Sequence, residues 1–163
     1  MTFFRVLVTG SRSWKDTDAV FTALDALAQS AARTGFAGMT VVHGAAKGAD
    51  TTAGLWVVDR KRRGWRVGAE PHPVRGADWR RHGNLAGHRR NARMVELGAD
   101  VCLAFINPCE KEKCRRPRPH GTHGAEHCAD LAEAEGIHTE RIMPRSAAPT
   151  EDSRYSDNPP EEA

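Results

Sequence analysis

Apolar positions follow two alternating rhythms along this chain. Residues 3–9 (Phe3-Phe4-Arg5-Val6-Leu7-Val8-Thr9) form a short apolar run that stops at Gly10. Such a run is expected of a strand buried on both faces of a parallel sheet. The rhythm then changes. From a cap at Asp16 or Thr17, Val20, Leu24, Leu27 and Ala31 keep helical spacing to about Arg33. A second strand is predicted over 39–43 and a helix over about 47–63, ended by Gly64. A weaker third strand, 65–68, is interrupted by Gly68 and followed by a loop with Pro71, Pro73 and Gly76. A polar stretch, 77–83, leads to a helix over about 84–97 closed by Gly98. A fourth strand is predicted at 100–106, an irregular loop at 107–120, a helix at about 122–135 and a fifth strand at 137–142.

Strands alternating with helices predict an α/β fold: a Rossmann-like parallel sheet of about five strands with helices on both faces. One domain is expected over 1–143, with the basic Cys/His loop at 107–120 as an insertion. A disordered acidic tail is expected over 144–163. Ligands of such sheets sit beyond the carboxyl ends of the strands, near the switch in strand order. The turns on that edge hold Ser11 and Arg12, then His43, Gly44 and Lys47, then Gly121 and Thr122.

Charge refines this picture. The chain is +3 overall, yet residues 150–163 hold Glu151, Asp152, Asp157, Glu161 and Glu162 against one base, Arg154, so the remainder is more basic than the whole. A basic body points to an anionic ligand. No apolar run approaches the roughly 18 residues that cross a bilayer. The N-terminal run is too short for a signal peptide. A cytoplasmic location and no membrane partner are the expectations.

Residues 41–50 carry the strongest chemical signal. A β-branched run ends in a small-residue turn, Gly44-Ala45-Ala46-Lys47-Gly48, with Ala49 and Asp50 opening a helix. Free N–H groups and the helix dipole then suit a phosphate. The turn is not a P-loop, because Gly48-Ala49-Asp50 stands where Gly-Lys-Ser/Thr is needed. Asp50 stands where it can cap or orient the loop. Gly10-Ser11-Arg12 adds a close backbone approach, a hydroxyl and a phosphate-gripping guanidinium; it lacks the further glycines of the dinucleotide fingerprint. Trp79 or Trp14 can pack on a base, and Arg90 and Asn91 suit phosphate and ribose. Each motif also has a plain structural reading as a turn or a solvated helix face.

Catalytic signals are thin. Asp50, Asp78 and Glu126 lie near the edge, and nothing selects one as a general base. Cys109, Cys114, His120 and His123 leave three readings open: reduced thiols, a structural zinc, or a disulfide. Their spacing matches no standard finger, and no cofactor is required. Cys128 falls where a helix buries a small apolar side chain.

Taken together, Arg5 to Arg12, Val41 to Asp50, Asp78-Trp79 with Gly87-His88-Arg89-Arg90-Asn91 and Met94, Gly98-Ala99-Asp100 through Phe105, and Gly121-Thr122 before a helix resemble the YspA/YpsA-related branch of the SLOG superfamily. The likeness covers about 4–142. This branch is common in actinobacteria and their phages. The resemblance implies a Rossmann-like fold that binds a nucleotide or nucleotide-derived small molecule, as sensor or processing domain. Lonely Guy phosphoribohydrolases, which cleave nucleoside monophosphates, imply a nucleoside-phosphate glycosidase or NAD-type hydrolase as the alternative. Their signature glutamate position holds Ala125, and Glu126 is one residue late, about 100° around a helix. DNA-processing protein A, whose turns resemble Gly10–Arg12 and Gly44–Asp50, implies a single-stranded nucleic-acid partner as the second alternative. Members often pair, so a homodimer is a further expectation.

Overall fold

The computed structural model describes residues 2–145. The expected acidic tail lies outside these residues, save for its first two. Five parallel strands form one sheet: β1 (Phe3–Gly10), β2 (Gly38–His43), β3 (Val67–Pro71), β4 (Val101–Phe105) and β5 (His138–Ile142), in the order β3-β2-β1-β4-β5. The chain builds outward from β1 to β3, then returns to the other side of β1. The switch in direction therefore lies between β1 and β4.

The period-2 alternation of the central strands explains the two layers. Val6, Val8, Val41, Leu103 and Phe105 face one way, onto α1 (Thr17–Arg33) and α2 (Ala49–Arg62). Leu7, Val42 and Cys102 face the other way, onto α4 (Leu85–Glu96) and α5 (His123–Ala134). Val6, Leu7 and Val8 are wholly buried, because β1 has a neighbour on each side and helices on both faces. Asp16 caps α1, its Oδ1 accepting from the Ala19 N–H at 2.9 Å. No helix among the described residues is long and apolar enough to cross a membrane.

Three expected boundaries move. The third strand lies at Val67–Pro71 rather than 65–68. It is an edge strand bonded only to β2, so one side makes no ladder, and proline and glycine are tolerated there. The stretch 77–83, expected as a polar lead-in, is largely a separate short helix, α3 (Gly76–His82), with no buried residue and hence no apolar period to reveal it. The helix after β2 begins at Ala49 rather than 47, because Gly48 has φ +86° and lies outside the helical region.

Packing alone requires glycine at Gly10. A Cβ there would lie 2.4 Å from the Ala49 Cβ and 2.9 Å from the Phe105 carbonyl oxygen. The first residue of α2 thus rests on the end of β1. Gly10→Ala is expected to destabilise the fold by about 1–3 kcal/mol through overpacking, read from urea unfolding; a midpoint equal to wild type would refute this packing account.

Candidate functional site

The turn after β2 is held from inside. Asp50, in the first turn of α2, is 3% exposed. Its Oδ2 accepts from the Gly44 N–H at 2.9 Å and the Ala46 N–H at 3.4 Å. His43 Nδ1 accepts from the Ala45 N–H at 3.1 Å, which makes Nε2 the protonated nitrogen of a neutral ring. Burial lowers the His43 pKa, and the Arg90 and His72 charges act in the same direction. Three amides of the turn expected to face an anion are therefore already bonded. Among the described residues, the N–H groups of Lys47, Gly48 and Ala49 have no protein acceptor. They adjoin the start of α2, where the helix dipole is positive.

The turns after β1 and β2 touch backbone to backbone. A Cβ on Gly48 would lie 2.2 Å from the Ser11 carbonyl oxygen. Arg12 leaves this junction into solvent, with its guanidinium 5.7 Å from the Trp79 ring centroid. Arg90, on α4, covers Gly44: its Nη1 donates to the Gly44 carbonyl and, at 3.4 Å, to the His72 carbonyl. Its Nε donates to Asn91 Oδ1 at 2.8 Å, and Asn91 Nδ2 donates to the Gly124 carbonyl at 3.2 Å. Asn91 is buried and joins α4 to α5.

These groups enclose a cleft of about 430 Å³. Arg12, Lys47 and Arg90 bring three cations, Trp79 a ring, and Pro73 and Val74 an apolar wall. Pro73 and Val74 were not singled out in the sequence, where they read only as loop. Of the two tryptophans expected to pack on a base, Trp79 is 37% exposed at the cleft and Trp14 is 4% exposed. Trp14 is the correction: its ring lies 5.3 Å from that of Phe105 and its Nε1 donates to the Asp16 carbonyl, so it belongs to the core.

Ser11 and Thr122 meet across the switch between β1 and β4, beside the cleft rather than in its lining. Their hydroxyls are hydrogen-bonded to one another. Ser11 Oγ also accepts from the Asn107 N–H at 2.8 Å, and the Thr122 N–H donates to the Asn107 carbonyl at 3.0 Å. Asn107 is thus a junction residue that no motif announced. Glu126 is engaged as well. Its Oε1 accepts from the Gly121 N–H at 2.6 Å, and its Oε2 lies 3.4 Å from Arg116 Nη1. Asp78 is exposed in the first turn of α3. None of the three candidate acids lines the cleft.

The four cysteines divide. Cys102 and Cys128 are fully buried, and burial pushes their thiols up to about 12 and about 11. Cys109 and Cys114 instead converge with His120 and His123. The donor atoms of these four all lie within 4.8 Å of one another, a group able to hold a metal ion.

Comparison with known proteins adds two findings. The sequence profile of the YspA, cpYpsA-related SLOG family matches residues 4–82, which carry the turns after β1 and β2. The "Gene 61 protein" of Mycobacterium phage D29 is 43% identical over 134 residues, covering 82% of this chain and 91% of that protein.

Asp50 gives a pH test of the turn. Burial pushes its carboxyl up from 3.8 to about 6, opposed first by Arg90, then by the two amides and Arg12. A carboxyl that binds its proton more tightly when folded contributes stability that is full below 3.8 and lost as pH rises through about 6. The loss is on the order of 3 kcal/mol. Asp50→Asn keeps an acceptor oxygen but cannot ionise. Urea midpoints of wild type are expected to fall relative to Asp50→Asn across this window; parallel profiles would contradict the assignment.

Proposed function

Since the chain belongs to the YspA, cpYpsA-related SLOG family, we propose that it binds a nucleotide or nucleotide-derived small molecule in the cleft at the carboxyl ends of β1 and β2. The carrying observation is the convergence of three cations and one exposed indole on a single cleft. Its volume falls in the range of small-molecule sites, roughly 300–1,000 Å³. Phosphate goes to Arg12 and Lys47, beside the unbonded amides at the start of α2. The base packs on Trp79, with Pro73 and Val74 closing the apolar side. Arg90 supplies charge from beneath while it holds Gly44.

Binding is favoured over N-glycosidic hydrolysis. The lining contains no carboxylate, Asp50 is committed to the turn, and Glu126 is committed to Gly121 and Arg116. We therefore read the chain as a sensor or processing domain, with hydrolysis as an outcome to be measured. Single-stranded DNA shares the phosphate and stacking chemistry, so it forms a separate arm of the test.

Calorimetry of the full chain against AMP, cyclic nucleotides, NAD and ADP-ribose is expected to find saturable binding of at least one. Arg12 and Lys47 are exposed, so Arg12→Ala and Lys47→Ala should leave the fold intact. Each is expected to weaken binding roughly tenfold or more, as for a charged hydrogen bond of about 1.5–3 kcal/mol. Trp79→Ala should lose a stacking contact worth about 1–3 kcal/mol. Silence across the panel from folded protein rejects the proposal, as does binding that ignores all three variants. Single-stranded DNA binding that falls steeply with salt and is not displaced by nucleotides would move the reading to nucleic acid. Free base released from AMP or NAD would move it to hydrolysis.

A further inference from the structure

We propose that Cys109, Cys114, His120 and His123 form a closed, four-coordinate structural zinc site that staples the segment between β4 and α5. The inference stands apart from the nucleotide reading.

The first argument is metric. Zinc bonds thiolate sulfur at about 2.3 Å and imidazole nitrogen at about 2.0–2.1 Å, in tetrahedral geometry. Those lengths require ligand atoms about 3.3 Å apart for nitrogen to nitrogen and about 3.6 Å apart for sulfur to nitrogen. His120 Nε2 and His123 Nε2 are 3.2 Å apart. Cys114 Sγ lies 3.4 Å from His120 Nε2 and 3.3 Å from His123 Nε2, and Cys109 Sγ lies 3.6 Å from His123 Nε2. Four of the six donor separations are thus close to those of a coordination tetrahedron, and the other two are within 4.8 Å.

The second argument is orientation. His120 Nδ1 lies 2.8 Å from the Pro117 carbonyl. A carbonyl can only accept, so Nδ1 carries the proton and Nε2 presents its lone pair to the other three ligands. This is the outer-shell bond expected behind a metal-bound histidine. Two thiolates and two neutral imidazoles also balance the charge of Zn(II), and an S₂N₂ tetrahedron selects zinc over harder cations.

The third argument is the poverty of other anchors. From 110 to 119 every residue is exposed except Cys114. A connection this long without secondary structure needs something to order it. Its base is tied by a bridge between Pro108 and Gly121 and by the Cys109 N–H donating to the His120 carbonyl at 2.8 Å; beyond that, the Cys114 N–H and Arg118 Nη2 donate to the Lys111 carbonyl, and the half-exposed Arg116 reaches Glu126 at 3.4 Å. Four protein ligands leave no open position for water, so the role is structural rather than catalytic. His123 opens α5, directly after the Thr122 that touches Ser11. The metal thereby fixes the start of α5 against the turn after β1.

Full-length protein produced with zinc is expected to carry one zinc per chain by elemental analysis. Cys114→Ser and His120→Ala should fall to background, whereas Cys102→Ala should keep its metal. Cobalt(II) exchanged into wild type, which needs no variant to fold, should give the intense visible bands of a tetrahedral site and a thiolate charge-transfer band. Chelation should raise amide exchange across 109–123 and leave β1 and β2 unchanged. Background zinc in folded wild type, full zinc in Cys114→Ser, a weak octahedral cobalt spectrum, or exchange indifferent to chelation would each overturn the proposal.

Discussion

The turns that leave β1 and β2 meet with no side chain larger than the Ala49 methyl between them. Gly10 admits Ala49, and Gly48 admits the Ser11 carbonyl. These approaches bring the two turns together and set the start of α2 on the sheet. Asp50 then reaches Gly44 and Ala46, and Arg90 settles over Gly44. Each later contact uses space that the glycines left open, so the cleft inherits its shape from backbone packing.

The same geometry recasts the turn as an anion site. The carboxylate of Asp50 occupies the amides of Gly44 and Ala46, which a phosphate would otherwise seek. The turn is thereby rigid before any ligand arrives, which removes an ordering cost from binding. An external anion is left the outer amides and the exposed cations Arg12 and Lys47. The burial that raises the Asp50 pKa is the cost of this arrangement, and the nearby Arg90 partly offsets it.

The two layers were legible because Val6-Leu7-Val8 and Val41-Val42 alternate between faces that are both apolar, and helical spacing in α1 is regular. The third strand was misplaced because an edge position relaxes the very rules that exclude Pro71. α3 was invisible because none of its residues is fully buried. Local reading also could not separate Trp14 from Trp79: both follow polar turn residues, and only the path of β4 brings Phe105 beneath Trp14. The Cys/His group was visible as residues but not as a geometry. Its spacing fits no standard finger, since the bridge between Pro108 and Gly121, rather than a fixed interval, brings the ligands together.

The exposure of α3 has an energetic consequence. Opening a segment with no fully buried side chain costs less than global unfolding. The β1–β2 wall of the cleft is continuous with the buried core, whereas the Trp79 wall stands on a helix with no fully buried residue. For a ligand packed on Trp79 as proposed, apparent affinity would equal intrinsic affinity reduced by the fraction of molecules with α3 docked. Substitutions in α3 that alter this population can tune binding strength without touching the phosphate contacts or the stability of the sheet.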